Sequence, residues 1–144
     1  MPKIKSEEET FEKITSDDNL YKAYYKTQGG KKKHKKEAII FRNDETYNLL
    51  NLRQSLIDET YEFDGYNEFI VHEPKKRIVN APRYKDKIVQ IAIGNVLKEI
   101  YFPCFINDSY SCIDKKGTHK CAKKIQYFLK QAQWEYGEEA IIVK

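Results

Sequence analysis

Between Tyr66 and Gln90 the chain has little choice but to run out as a strand, turn, come back and enter a helix. Tyr66, Glu68 and Ile70 alternate with Asn67, Phe69 and Val71, the period of a strand with two different faces. Pro74 supplies a turn inside the basic stretch His72-Glu73-Pro74-Lys75-Lys76, and Arg77 to Ala81 form the returning strand, closed by Pro82. Asp86 stands where a helix cap would, ahead of Ile88, Val89, Ala92, Val96, Leu97 and Ile100 at helical spacing. The pattern predicts a hairpin over 66–81 and a helix over 86–101. A basic hairpin beside a helix N-terminus suits phosphate oxygens.

Charge is distributed unevenly along the 144 residues. The net charge of +4 conceals a first twenty residues with three basic and six acidic side chains, followed by residues 21–42 with eight basic and one acidic. Residues 74–130 carry thirteen basic and four acidic side chains. Two basic blocks suggest a polyanionic partner, most often nucleic acid, and the competing reading is a solvated lysine-rich surface. A chain of this length holds one core of modest size. It shows no apolar run of membrane-spanning length and no secretory signal, so a cytoplasmic protein is expected. Cys104, Cys112 and Cys121, eight and nine residues apart, read as reduced thiols. A metal site at Cys112, His119 and Cys121 would lack a fourth ligand.

Residues 1–18 read as a loosely ordered acidic lead-in, helical near Thr10 to Ile14. A short helix over 19–27 ends at Gln28-Gly29-Gly30. Lys31-Lys32-Lys33-His34-Lys35-Lys36 repels itself and reads as mobile when alone. Asn43-Asp44 caps an amphipathic helix over 44–58, and Pro103 stops the helix that follows the hairpin. Residues 105–117 have neither period and form a loop. Thr118 is placed to cap a helix over 118–133, with an apolar stripe of Cys121, Ala122, Ile125, Phe128, Leu129 and Ala132 and a basic face of Lys120, Lys123, Lys124 and Lys130. Ala140-Ile141-Ile142-Val143 reads as a short apolar strand. The fold class is α+β, mainly helical, with one small antiparallel hairpin.

Two blocks together resemble the fingers of prokaryotic reverse transcriptases, of the kind found in group II introns and diversity-generating retroelements. The first is Arg77-Ile78-Val79-Asn80-Ala81-Pro82-Arg83-Tyr84-Lys85-Asp86-Lys87-Ile88-Val89-Gln90. The second runs from Phe105-Ile106-Asn107-Asp108-Ser109-Tyr110-Ser111-Cys112 through Lys116-Gly117-Thr118-His119-Lys120-Cys121-Ala122. The resemblance covers about residues 43–144. It implies an amino-terminal extension at 1–42, a fingers domain at 43–138 and the first strand of a palm at 139–144. It implies a template RNA, an RNA/DNA duplex and a deoxynucleoside triphosphate as partners, with Mg²⁺ in the full-length polymerase. Neither an Asp-Ile-x-x-Phe-Phe nor a Tyr-x-Asp-Asp segment occurs here. This chain is therefore expected to be catalytically incomplete, a fragment of an RNA-directed DNA polymerase whose strand at 140–143 frays or pairs with a second copy.

The resemblance also assigns residues. Arg77 would meet the incoming triphosphate with a planar fork of donors, helped by Lys75 and Lys76 at the hairpin tip and by Lys87, which stands where the family usually has arginine. The plain alternative for Arg77 is an ion pair with Asp86 or a hairpin glutamate, and for the tip lysines solvation. Arg83, Ser109, Tyr110, Gly117, Thr118, His119 and Lys120 would contact the template. Against this, Arg83 could cap its own turn, Tyr110 could be core and Gly117-Thr118-His119 could open an ordinary helix. Ile113 departs from the arginine frequent in the family. A stand-alone basic RNA-binding module remains a second function, and a purely structural helical domain a third.

Overall fold

Two serines begin the fold. The Ser6 hydroxyl accepts the Glu9 amide at 3.2 Å and starts α1 (Glu7–Thr15). Ser16 ends α1 and, by accepting the Asn19 amide at 3.4 Å, starts α2 (Asp17–Thr27). Both helices open on acidic residues, Glu7 to Glu9 and Asp17-Asp18, which suits the positive end of a helix dipole. The lead-in, expected to be loosely ordered apart from a helix near Thr10 to Ile14, is thus a longer, capped helix running into a second one. The reason is local: each serine satisfies an amide that the first helical turn leaves unpaired.

This computed structural model describes residues 6–29 and 36–137. After α2 come α3 (Lys36–Asn43), α4 (Glu45–Ile57), β1 (Tyr66–Val71), β2 (Arg77–Pro82), α5 (Tyr84–Tyr101), a short 3-10 turn at Phe102–Cys104, and α6 (Thr118–Tyr136). The mainly helical α+β class expected from the sequence is the class observed, with one antiparallel hairpin among the described residues. Lys31 to Lys35 and the strand expected at 140–143, with any dimer it would form, lie outside the described residues. No helix among the described residues is long and apolar enough to cross a membrane.

The chain forms two compact units, residues 1–104 and 105–144. In the first, α2 supplies Leu20, Ala23 and Tyr24, α4 supplies Leu49 and Leu52, and α5 supplies Ile88, Val89 and Ala92 to one buried cluster. Residues within the stretch expected as an extension therefore share a core with those that follow it. Asn19 joins three helices from inside. Its side-chain amide donates to the carbonyls of Ala92 at 3.0 Å and Ile14 at 3.1 Å, and its oxygen accepts from Asn95 at 2.9 Å. Every polar atom of this buried side chain has a partner, as burial demands.

The hairpin pairs Tyr66 with Pro82, Phe69 with Val79 and Val71 with Arg77. Directly opposed residues point to the same face, so Asn67, Phe69 and Val71 share a face with Arg77, Val79 and Ala81. The second face carries Tyr66, Ile70 and Ile78, all well exposed.

Three capping expectations need correction. Asp86 is no cap: Arg83 is the cap residue of α5, without a side-chain bond, and Asp86 lies buried within the first turn, where it serves other partners. Thr118 is the first residue of α6, and Gly117 precedes it as the cap. Asp44 does hold the cap position of α4, yet its side chain makes no capping bond. The second unit also differs from expectation, because α6 buries none of its residues. Ile125 and Phe128, drawn as part of an apolar stripe, are 41% and 44% exposed.

Candidate functional site

In the first unit the hairpin presents its basic end to solvent. Arg77 opens β2, is exposed, and its guanidinium reaches the Glu73 carbonyl at a long 3.5 Å. Among the described residues it forms no ion pair with Asp86 or a hairpin glutamate, so the plain alternative for this arginine is not what the fold adopts. Lys75 and Lys76 are exposed in the turn beside it. Three exposed cations thus lie together at one end of the hairpin. Such a group matches the spread charge of a polyphosphate.

Toward the other end, the face that carries Arg77 becomes the wall of a cleft of about 610 Å³. Asn67, Phe69, Ala81 and Pro82 line it from the hairpin, Lys36 and Glu37 from α3, and Tyr84, Lys87, Gln90 and Ile91 from α5. Lys87 is half-buried here, one turn into its helix. Ala81 lies four residues beyond Arg77 along β2, a distance of about 13 Å at the rise of an extended strand. Lys87 therefore does not join Lys75 and Lys76 at the tip. The expected four-member cluster is divided between a tip and a cleft on one face.

Glu37 holds this cleft together. One carboxylate oxygen accepts the Tyr84 amide at 3.1 Å, satisfying a free donor in the first turn of α5, and the other accepts from the Asn67 side chain at 3.4 Å. Arg83 is exposed just before α5, donates its amide to the Gly65 carbonyl at 3.3 Å, and carries no capping bond from its side chain. Arg83 thus caps its local turn through its backbone alone, its carbonyl accepting the Lys87 amide at 3.0 Å. Glu37 was missed by sequence reasoning because it follows a lysine run and reads as a counter-charge; its partners are 30 and 47 residues away.

Behind the cleft lies a polar network that fixes α5. The Thr27 hydroxyl donates to the Tyr24 carbonyl at 2.6 Å, so the Tyr84 hydroxyl, 2.6 Å from Thr27, is the donor in that second bond and accepts from Gln28 at 2.7 Å. Tyr24 donates to Glu45 at 2.7 Å. Burial, then the bond to Glu45 and its charge, pushes the Tyr24 phenol well above the usual tyrosine value. The buried Asp86 carboxylate accepts from the Tyr61 hydroxyl in a short bond and from the Asp64 amide at 3.1 Å. Tyr61 is likewise shifted upward, by desolvation first and by Asp86 second.

In the second unit, residues expected to touch a template occupy one loop and the helix start after it. The Ser109 amide donates to Ile106 at 3.0 Å and closes a turn, leaving Ser109 half-buried. Tyr110 is half-buried, its hydroxyl donates to Asp108 at 3.2 Å, and the Lys116 ammonium stands 5.4 Å from its ring centre. Lys116 also donates to the Asn107 carbonyl at 2.5 Å, pinning the two ends of the loop. Gly117 precedes α6 in extended backbone, Thr118 and His119 are exposed in the first turn, and the Lys120 ammonium donates to the Lys115 carbonyl at 3.2 Å. Core packing of Tyr110 is not observed, since no described residue of this unit is buried. Among the described residues no three His, Cys, Asp or Glu side chains converge.

No protein-family model matches the chain, and no curated protein matches it. The chain is a mainly helical α+β protein with a basic, exposed hairpin tip in one unit and a lysine-rich helix in the other.

Proposed function

We propose that this chain is the fingers region of an RNA-directed DNA polymerase, in which the hairpin tip receives a nucleoside triphosphate and the second unit contacts template RNA. The observation that carries the reading is Arg77: it opens β2 beside Lys75 and Lys76, is exposed, and has no carboxylate partner among the described residues. A planar guanidinium in that state donates to phosphate oxygens in pairs, and the two neighbouring ammonium groups add charge. Ser109, Tyr110, Gly117, Thr118, His119 and Lys120, grouped in one loop and one helical turn, are the template surface in this reading.

Polymerisation additionally needs carboxylates that hold Mg²⁺ between the attacking hydroxyl and the triphosphate. The 144 residues contain neither sequence segment that supplies them in the family. Among the described residues no three His, Cys, Asp or Glu side chains come together to fit such a centre, so no catalytic step is assigned to them. Their part is binding and charge neutralisation.

The test is a pair of titrations on the chain and its Arg77→Ala variant, one with a fluorescent deoxynucleoside triphosphate and one with labelled RNA at two salt concentrations. Arg77→Ala weakens triphosphate binding several-fold while changing RNA binding little, and RNA binding falls steeply with salt because it rests on phosphate contacts. Equal loss of both ligands, or triphosphate binding that is absent from the parent chain, overturns the polymerase reading. RNA binding with no triphosphate binding selects the second function, a stand-alone basic RNA-binding module, which the lysine-rich α6 favours.

A further inference from the structure

The second unit carries an arrangement that the triphosphate site leaves unused. From Lys115 to Trp134 the sequence has six lysines and no Asp or Glu. Lys120 stands three and four residues before Lys123 and Lys124, which stand four and three before Tyr127, so the four residues share one side of α6. With Tyr110 and Lys116 from the preceding loop, these four line a shallow groove of about 380 Å³. Its six lining residues are four cations and two phenol rings. The Lys124 ammonium lies 5.0 Å from the Tyr127 ring centre, as Lys116 lies 5.4 Å from that of Tyr110.

We propose that this groove binds single-stranded nucleic acid, with bases stacked on Tyr110 and Tyr127 and the intervening phosphates held by Lys116, Lys120, Lys123 and Lys124. The six lining residues include no carboxylate, though Asp108 accepts from the Tyr110 hydroxyl, so the four lysines repel one another and a polyanion removes that repulsion. Charge alone would suit any anion; the rings narrow the choice. Lys116 now covers the face of Tyr110, and Lys124 lies over both Tyr127 and Phe128; a base that takes their place on the tyrosine rings leaves each ammonium beside the adjoining phosphate. A duplex keeps its bases stacked inside and offers the rings nothing. An acidic peptide has no flat π-face to replace the ammonium.

The proposal deepens the template surface of the proposed function, sharing Tyr110 and Lys120 with it, and adds Lys116, Lys123, Lys124 and Tyr127. It stands apart from the triphosphate site. Tyr127 is 51% exposed, so its replacement leaves the fold intact.

The experiment is fluorescence anisotropy of a labelled uridine octamer and of an eight-base-pair RNA duplex, titrated with the full chain and its variants over a series of salt concentrations. Tyr127→Ala weakens octamer binding about five-fold or more, Tyr127→Phe restores it, and neither changes duplex binding. The double variant Lys123→Gln/Lys124→Gln flattens the salt dependence of octamer binding by about 1.4, the contribution of two phosphates on a single strand. Octamer binding that ignores Tyr127→Ala, a duplex bound more tightly than the octamer, or a polyglutamate peptide that competes equally well each overturns the groove. Triphosphate binding should be the same in Tyr127→Ala and the parent. Loss of triphosphate binding from the parent chain overturns the polymerase reading without touching the groove.

Discussion

The Asp86 carboxylate is buried against the Tyr61 hydroxyl, and the same carboxylate takes the Asp64 amide at 3.1 Å. One side chain in the first turn of α5 therefore holds the loop that enters the hairpin. Asp86→Ala leaves the half-buried Tyr61 hydroxyl and the Asp64 amide without that acceptor and should lower stability by about 1–3 kcal/mol. Asp86→Asn keeps one acceptor and should cost about half as much. Urea denaturation followed by circular dichroism checks both, and equal effects would show that charge rather than acceptor geometry matters.

High pH attacks the same bonds. Tyr24 and Tyr61 hold their phenol protons more tightly in the folded chain than in the unfolded one. The stabilisation is fully present below the unfolded tyrosine value of about 10 and is lost as pH rises above it, because unfolding then releases protons that the native state retains. The urea midpoint should stay level from about pH 7 to 9 and fall beyond pH 10. In Tyr61→Phe the alkaline fall should be shallower. An unchanged slope would remove Tyr61 from the account.

Tyr84 links α5 to the end of α2 through two hydroxyl bonds. Tyr84→Phe keeps the ring and its edge-on contact with Phe41 but strips Thr27 and Gln28 of their partner. The expected cost is about 1–2 kcal/mol, read as a lower urea midpoint with unchanged m-value. No loss at all would place these bonds in exchange with water.

Core substitutions should separate the two units. Ile88 is fully buried in the cluster that α2, α4 and α5 share, and Ile88→Ala should cost about 2–5 kcal/mol. Phe128 on α6 is 44% exposed with a lysine ammonium 4.6 Å from its ring centre, and Phe128→Ala should cost about 1 kcal/mol or less. Denaturation of the two variants side by side decides the matter. A large loss at Phe128 would mean that α6 is stabilised by contacts made in the folded chain beyond those described.

Much of the secondary structure was legible from short-range pattern. Alternation over Tyr66 to Val71 and Pro74 in the turn mark the hairpin, and helical spacing from Ile88 to Ile100 marks α5, because periods of two and 3.6 follow from backbone geometry alone. Arg77 and the lysine tip were legible for the same reason, as they sit on a turn that its own residues define. Helix caps were less legible. Asp86 has the right type for a cap and lies three residues past the true one, and nothing local reports that Tyr61 and Asp64 will claim its oxygens.

By itself, then, the sequence determined where the hairpin, α2, α4, α5 and α6 form and that lysine would dominate one face of α6, since these depend on neighbours within a few residues; α3 (Lys36–Asn43) carries no such local signal. Tertiary structure alone decided which faces meet. It brought Glu37 to the amide of Tyr84, buried Asn19 among three helices, and left Ile125 and Phe128 exposed although their spacing resembles that of a buried stripe. The physical reason is that periodicity states that a face is apolar, whereas burial depends on a second surface supplied from elsewhere in the chain.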